Sequence, residues 1–347
     1  MTERDLTEGA MSALARYPLL SPRPAGSLPA STRNDNLLVQ DAAGETYVLR
    51  RYRRNPSSER MEFQLRLQQH LFRHGLPTSR VIETDGGKRF VCSGDGFWAL
   101  FTFVPGTEYD FQSEGQVRQA ATWLARFHVG CEGFRGAEAA GETIPDVRRW
   151  WLEGEAELVG LEAMFRDDGV DAELSYLRRW RSRLIRKWPL AALDALPRAW
   201  VHGDYHGRNV LFADDRLVGM FDFDVVHRGF RTEDVAMALF TFGRPHRHSR
   251  RIRPGTALAF LDEYVSRVGL TKLERRALPM MASLVQARTA ARYAVRLRDG
   301  EDIVRAFRAH VGRMRSLPSQ VASLAGRVPA DRGADDHRNP DPSAAPI

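Results

Sequence analysis

The chain has 347 residues, 43% hydrophobic and 27% charged, which suits two folded units or one large bilobal one and is ordinary for a water-soluble protein. No apolar stretch approaches the ~20 residues that cross a bilayer, and the first twenty residues lack a charged, then apolar leader. Two cysteines, Cys92 and Cys131, cannot build a disulfide framework. A cytoplasmic protein with reduced thiols is expected.

Lys and Arg exceed Asp and Glu by 51 to 44, a formal net charge of +7. The densest basic stretch, "GRPHRHSRRIRP" from Gly243 to Pro254, reads either as a solvated loop or as a seat for an anionic substrate or partner. No zinc-finger spacing, helix-turn-helix or interleaved aromatic and basic pattern argues for nucleic acid.

In chain order, "DNLLVQDAAGETYVLRRYR" (Asp35 to Arg53) reads as a hairpin turning at Ala43-Gly44. "SSERMEFQLRLQQHLFRHG" places Met61, Leu65, Leu67, Leu71 and Phe72 at largely helical spacing, with Gly75 as the stop. A second hairpin, "KRFVC" to "FWALFTFV", turns at Asp95-Gly96, and Pro105-Gly106 ends it. Beyond this hinge the periodicity is mostly helical, in "GQVRQAATWLARFHVGC", "RRWWLEGEAELVGLEAMF", "ELSYLRRWRSRLIRKW", "EDVAMALFTFG", "TALAFLDEYVSRV" and "ALPMMASLVQARTAARYAVRL". From about Val328 the chain has little to bury, and a disordered tail is expected. The expected organisation is α+β: an antiparallel sheet with one helix in residues 1–104, a mainly helical lobe in 105–327, and a tail in 328–347. A cleft between lobes is a favoured place for a ligand.

One polar hairpin interrupts the helices. "WVHGDYHGRNVLFADDRLVGMFDFDVV" (Trp200 to Val226) sets Asp204, Asn209, Asp222 and Asp224 among apolar runs, a costly arrangement unless a metal, a proton transfer or a structural network compensates it. Phosphoryl transfer needs a carboxylate to orient the attacking hydroxyl, hard oxygen ligands for Mg²⁺ and a cation on the phosphates. Asp204 lies on a loop leaving a strand, Asn209 opens the next strand, and Asp222 ends the returning one. Such a hairpin brings three oxygen donors into one small volume.

"HGDYHGRNVLF…GMFDFD", with "EDVAMAL" downstream, resembles the catalytic and metal-binding loops of the aminoglycoside phosphotransferase/choline kinase superfamily, relatives of protein kinases. The resemblance spans roughly Ser31 to Leu297 and is strongest from Val201 to Leu239. It implies a bilobal kinase-like fold and an ATP- and Mg²⁺-dependent transfer of phosphate to a hydroxyl, with GTP open as a donor. It implies Asp204 as the catalytic carboxylate and Asn209 and Asp222 as Mg²⁺ ligands. His202 would hold the loop, Asp234 would cap its helix and support the loop, and Asp224 would be a secondary metal or loop-positioning group or a partner for Arg228 or Arg231. Arg50 stands where kinases carry the phosphate-binding lysine, with Glu62 as its expected helical partner and Glu59 as the rival. The glycine-rich loop is replaced by "LPASTRNDN", leaving Ser31, Thr32 and Asn34 to meet phosphates. "FTFVPG" matches the adenine hinge, with hydrogen bonds from Thr102 and Val104 and a pocket bordered by Phe101.

The expected partners are a nucleotide and a small hydroxylated substrate: a metabolite, an amino alcohol or an antibiotic. The nearest branches in feel are the homoserine-kinase-like and spore-coat ones. Tyr205, His206, Arg208, Trp150 and Trp151 are acceptor-side candidates, each equally open to a packing role. A basic chain argues against polycationic aminoglycosides. The alternatives are a protein Ser/Thr kinase of the bacterial stress-response type and an inactive nucleotide-binding pseudokinase; intact Asp204, Asn209 and Asp222 argue against the latter.

Overall fold

The computed structural model describes residues 3–28, 34–52, 57–93, 96–136, 147–296 and 301–327. Ser31, Thr32, Asp95 and the tail expected from 328 onward lie outside them. The N-terminal part is an antiparallel sheet in the order β1-β2-β3-β6-β4, with β5 paired to β6. Its strands are β1 (Arg23–Ser27), β2 (Asn34–Gln40), β3 (Thr46–Tyr52), β4 (Val81–Ile82), β5 (Val91–Ser93) and β6 (Gly96–Thr102). Gly44, at φ 85°, makes the expected turn between β2 and β3. An unforeseen helix, α1 (Glu3–Leu14), packs Ala10, Ala13 and Leu14 over Leu49, Trp98 and Leu100 on one sheet face.

Helix α2 (Ser58–Arg73) covers the other face and starts where expected, with Ser57 Oγ accepting from the Arg60 amide. It carries two apolar stripes. Met61 and Leu65 pack on Tyr52, Val81, Ala99 and Phe101 of the sheet, whereas Phe63, Leu67 and Leu71 enter the core of the helical part. At about 100° per residue, these stripes leave a third one, through Glu62 and Gln69, facing the sheet's outer edge. Burying both apolar stripes fixes the helix's rotation and joins the two parts of the molecule.

The helical part holds α3 (Glu114–Gly130), α4 (Val147–Met164), α5 (Asp171–Lys187), α6 (Leu190–Asp194), α7 (Arg231–Gly243), α8 (Pro254–Val268), α9 (Lys272–Arg296) and α10 (Glu301–Ala325). Of these, α10 had no counterpart in the sequence reading. The embedded hairpin is β8 (Val210–Ala213) with β9 (Arg216–Met220), and β7 (Arg198–Val201) pairs with β10 (His227–Phe230). The result is the α+β, bilobal kinase-like arrangement expected. No described helix is long and apolar enough to cross a membrane.

Candidate active site

Strand β7 delivers the chain into a sharp turn at Gly203, φ 76°, where an added Cβ would lie 3.0 Å from the Val225 carbonyl oxygen. Only glycine fits there without displacing the Asp222–Val226 segment. The loop is then fixed from within. The buried Asp234 carboxylate accepts the amides of His202 at 2.7 Å and Gly203 at 2.9 Å, and meets His128 Nε2 at 3.1 Å. Burial alone would raise the Asp234 carboxyl, but the His128 hydrogen bond and the nearby imidazoles outweigh it and hold it below its usual range. His202 Nε2 donates to the Phe221 carbonyl at 3.0 Å, and burial pushes its imidazole below its ordinary value, so it is neutral. His202 is therefore a loop anchor, as expected. Asp234 supports the loop, but the helix cap is Glu233, whose Oε1 accepts the Phe230 amide at 2.9 Å. Glu233 is itself buried against Arg288 at 2.6 Å and His227 at 3.3 Å.

Asn209 is buried, and its side-chain amide donates to the Asp204 carbonyl at 2.8 Å. With Nδ2 so engaged, Oδ1 is the side-chain atom of Asn209 left to meet a ligand. Across the hairpin, the Phe221 amide bonds to the Asn209 carbonyl at 2.9 Å, placing Asp222 beside Asn209. Asp222 adopts left-handed backbone, φ 65° and ψ 60°, which costs about 1–2 kcal/mol for a residue other than glycine. Asp204 is half-buried with His206 Nε2 3.6 Å away. Burial keeps the His206 imidazole below its ordinary value despite Asp204, so it does not cancel the carboxylate's charge near pH 7. The hairpin thus brings the chain at Asp204, Asn209 and Asp222 together. Among the described residues no group of three or more His, Cys, Asp or Glu could hold a metal. One carboxylate and one carboxamide fit Mg²⁺ nonetheless, because that ion keeps waters and takes phosphate oxygens for the rest of its shell.

The sheet side differs from expectation in two places. Glu62 is bonded to Arg89 Nη1 at 2.6 Å, not to Arg50, because its stripe of α2 faces the β4–β5 edge; Glu59 is exposed on the same side. Arg60 instead points at the site, donating through Nη2 to the Asp224 and Val226 carbonyls at 2.8 Å each. Its periodicity was visible in the sequence, but a buried arginine among apolar neighbours gave no signal. Asn34 was expected at phosphates; its amide instead donates to Asp224 Oδ2 at 3.0 Å. Asp224 therefore ties the strand start to the loop, while Arg228 stacks on Trp200 and Arg231 bonds Glu274.

Arg50, on the central strand β3, donates Nε to Asn36 Oδ1 at 2.9 Å and lies over the Tyr52 and Phe101 rings. Burial lowers its pKa, but Tyr52, Asp224 and Asp222 outweigh this and raise it. Those carboxylates place it on the site's side of the sheet. Arg51 faces oppositely, over Trp98. Phe101 is buried under α2 and exposes only 4% of its surface, so it is chiefly core. At the hinge the Thr102 amide bonds Arg80 and the Phe103 amide bonds Thr46; Val104 follows, half-buried. Tyr205 donates to the Ala120 carbonyl, and Trp150 and Trp151 are core, so these three acceptor-side candidates pack the fold. His206 is half-buried and Arg208 is exposed.

A sheet-plus-helix lobe facing a loop with an Asp-x₄-Asn pair and a returning Asp defines a protein-kinase-like phosphotransferase. The chain belongs to the phosphotransferase enzyme family, whose family model matches residues 27–278. It is a kinase with a hydroxyl as acceptor. It is similar to homoserine kinase of Sinorhizobium medicae, 28% identical over 279 residues, 80% of this chain and 81% of the relative. In fold it is similar to a microcompartment-associated aminopropanol kinase (TM-score 0.68, 19% identity, 92% and 99% of the two chains). It is likewise similar to amicoumacin kinase, solved with AMP-PNP, Ca²⁺ and its antibiotic (TM-score 0.67, 16% identity, 92% and 94%).

Proposed function

We propose that the protein moves the γ-phosphate of ATP, with Mg²⁺, to the hydroxyl of a small metabolite, with a homoserine-type hydroxy amino acid as the leading acceptor. The observation that carries this is the hairpin itself: Asn209 is bonded to the Asp204 carbonyl and sits across the ladder from Phe221, next to Asp222. Asp204 orients the acceptor hydroxyl and takes its proton as the oxygen attacks. Asn209 and Asp222 are the protein ligands of Mg²⁺. That ion, when bound, neutralises charge on the transferring phosphoryl group. Arg50 supplies the permanent cation for the nucleotide phosphates, as a planar fork where many kinases use a lysine. Because the Thr102 amide is already bonded within the sheet, its carbonyl and the Val104 amide are left as the hinge contacts for adenine. The similarity to homoserine kinases over four-fifths of the chain supports the acceptor class.

The test is ADP formation with Mg·ATP over homoserine, amino alcohols, aminoglycosides and a generic protein substrate. Homoserine-type acceptors should turn over fastest. Asp204→Ala should lower kcat by about a thousandfold, within the range for removing a positioned acid–base group, while nucleotide affinity measured by calorimetry stays within a few-fold. Turnover surviving that substitution would remove Asp204 from its role.

A further inference from the structure

The basic stretch after α7 contains a group that the phosphoryl-transfer site does not use. Arg244 follows α7 directly, and its guanidinium carbon lies 5.2 Å from the centre of the Phe240 ring and 5.7 Å from that of Phe111. Arg313 of α10 sits 5.4 Å over the same Phe240 ring. The Arg244 Nε is buried and has no hydrogen-bond partner. Among the described residues no carboxylate pairs with it. Burial, then Arg313 and Arg247, lower its pKa to about 10. Two guanidinium groups over one ring repel each other, and the ring's face offsets only part of that cost. A half-buried cation without a counter-charge is stabilised by an anion that reaches it.

Its position says which anion. Thr241, one turn earlier on α7, shares its hydroxyl proton between the Met237 carbonyl at 3.0 Å and the Tyr205 carbonyl at 3.3 Å, the latter next to Asp204. Arg244 lies one helical turn, about 5 Å along the axis, beyond that contact. Tyr109, whose hydroxyl bonds the Phe242 carbonyl at 2.9 Å, presses on Gly207 so closely that an added Cβ would lie 2.8 Å from its own Cβ. The cluster therefore borders the 205–207 side of the loop. Asn34 and Arg60, by contrast, meet the segment of Asp224 to Val226, on the nucleotide side.

We propose that Arg244, seated on Phe240 and Phe111 beside Arg313 and Arg247, is a subsite for the carboxylate of the acceptor and selects hydroxy acids over amino alcohols. The proposal rests on the kinase reading above and adds a specificity-determining residue to it. A guanidinium fork matches a carboxylate by two parallel hydrogen bonds, and with Nε sealed from solvent the two Nη groups of Arg244 are the donors that face a ligand.

The experiment compares L-homoserine with 3-amino-1-propanol, the same molecule without its carboxylate, in the wild type, Arg244→Gln and Arg244→Lys. ADP formation gives kcat and KM, and calorimetric titration without nucleotide gives binding. The wild type should favour homoserine in kcat/KM by about 100-fold or more, because 3-amino-1-propanol leaves the guanidinium without its partner. Arg244→Gln should shrink that ratio by about 30-fold or more, mainly through the homoserine KM, and Arg244→Lys should restore part of it as a point charge. Equal use of both acceptors by the wild type, or an unchanged ratio in Arg244→Gln, overturns the subsite. A raised KM for ATP with an unchanged ratio assigns the cluster to nucleotide phosphates and also overturns it. Should neither acceptor yield ADP, the kinase reading fails for them, and titration decides the subsite alone. Tighter binding of homoserine, lost in Arg244→Gln, supports it; equal or absent binding refutes it.

Discussion

Around Asp204 the backbone is held by groups that are themselves buried. Asp234 takes two loop amides and His128, His202 ties the loop to Phe221, and Asn209 returns to the Asp204 carbonyl. On the facing sheet, Arg50 is held by hydrogen bonds to Asn36 and to Tyr52, by aromatic rings and by the pull of two carboxylates. One side is preorganised by a closed polar network. The other carries a single long cation whose position follows from strand register and side-chain packing. Chemistry that depends on exact placement sits on the first, and charge neutralisation, which tolerates more play, sits on the second.

Breaking the network should give the largest effect. Asp234→Ala leaves two loop amides and His128 without their acceptor in a buried setting. A loss of about 3–5 kcal/mol, the usual result of removing one partner of a buried charged group, should appear in denaturant unfolding, together with loss of turnover. The sign of the pH dependence follows from the same residue. Because its folded pKa lies below the ordinary 3.8, Asp234 contributes stability fully present above that value and lost as pH falls through the depressed one. Asp234→Asn should therefore flatten the wild-type decline in melting temperature below about pH 4; an unaltered slope would show that other carboxylates cause it.

The asymmetry also explains what the sequence could reveal. The loop was legible because its parts are close in the chain: a Gly turn, an Asp-x₄-Asn spacing and a hairpin whose return length places Asp222. Even Asp234, thirty residues on, announced itself at a helix start. The sheet-side contacts were not legible, since they depend on how α2 is rotated. Glu62 and Arg60 are two residues apart, and only the burial of Phe63, Leu67 and Leu71 against the helical part decides that Arg60 faces the loop. Helix α1 hides for a related reason: its apolar face is short and becomes informative only against Trp98.

Arg60 is where the two plans meet. It is a sheet-side residue, yet it is 4% exposed and bonds two loop carbonyls, of Asp224 and Val226, just after the Asp222 turn. Arg60→Met keeps much of its apolar stem over Phe63 and removes both bonds. The expected result is about a tenfold fall in kcat/KM, the worth of about 1.4 kcal/mol, with weaker Mg²⁺-dependent nucleotide binding. Unchanged Mg²⁺ titration would mean that α2 does not position Asp222.

Glu62→Gln gives the smallest effect and the sharpest contrast. In a kinase lobe wired through a lysine–glutamate pair, neutralising the helical acid would cripple phosphate binding. Here Glu62 holds Arg89 at the outer edge, with 40% of its side chain exposed, and exposed pairs of this kind are worth about 0–1 kcal/mol. KM for ATP and kcat should both stay within about twofold of wild type, well under 1 kcal/mol. A tenfold rise in KM for ATP would mean that Glu62 swings inward to Arg50 when nucleotide binds. The stripe that α2 turns toward the sheet edge would then belong to one conformation of the lobe, with Arg60 and Glu62 exchanging places as the helix rotates about its own axis.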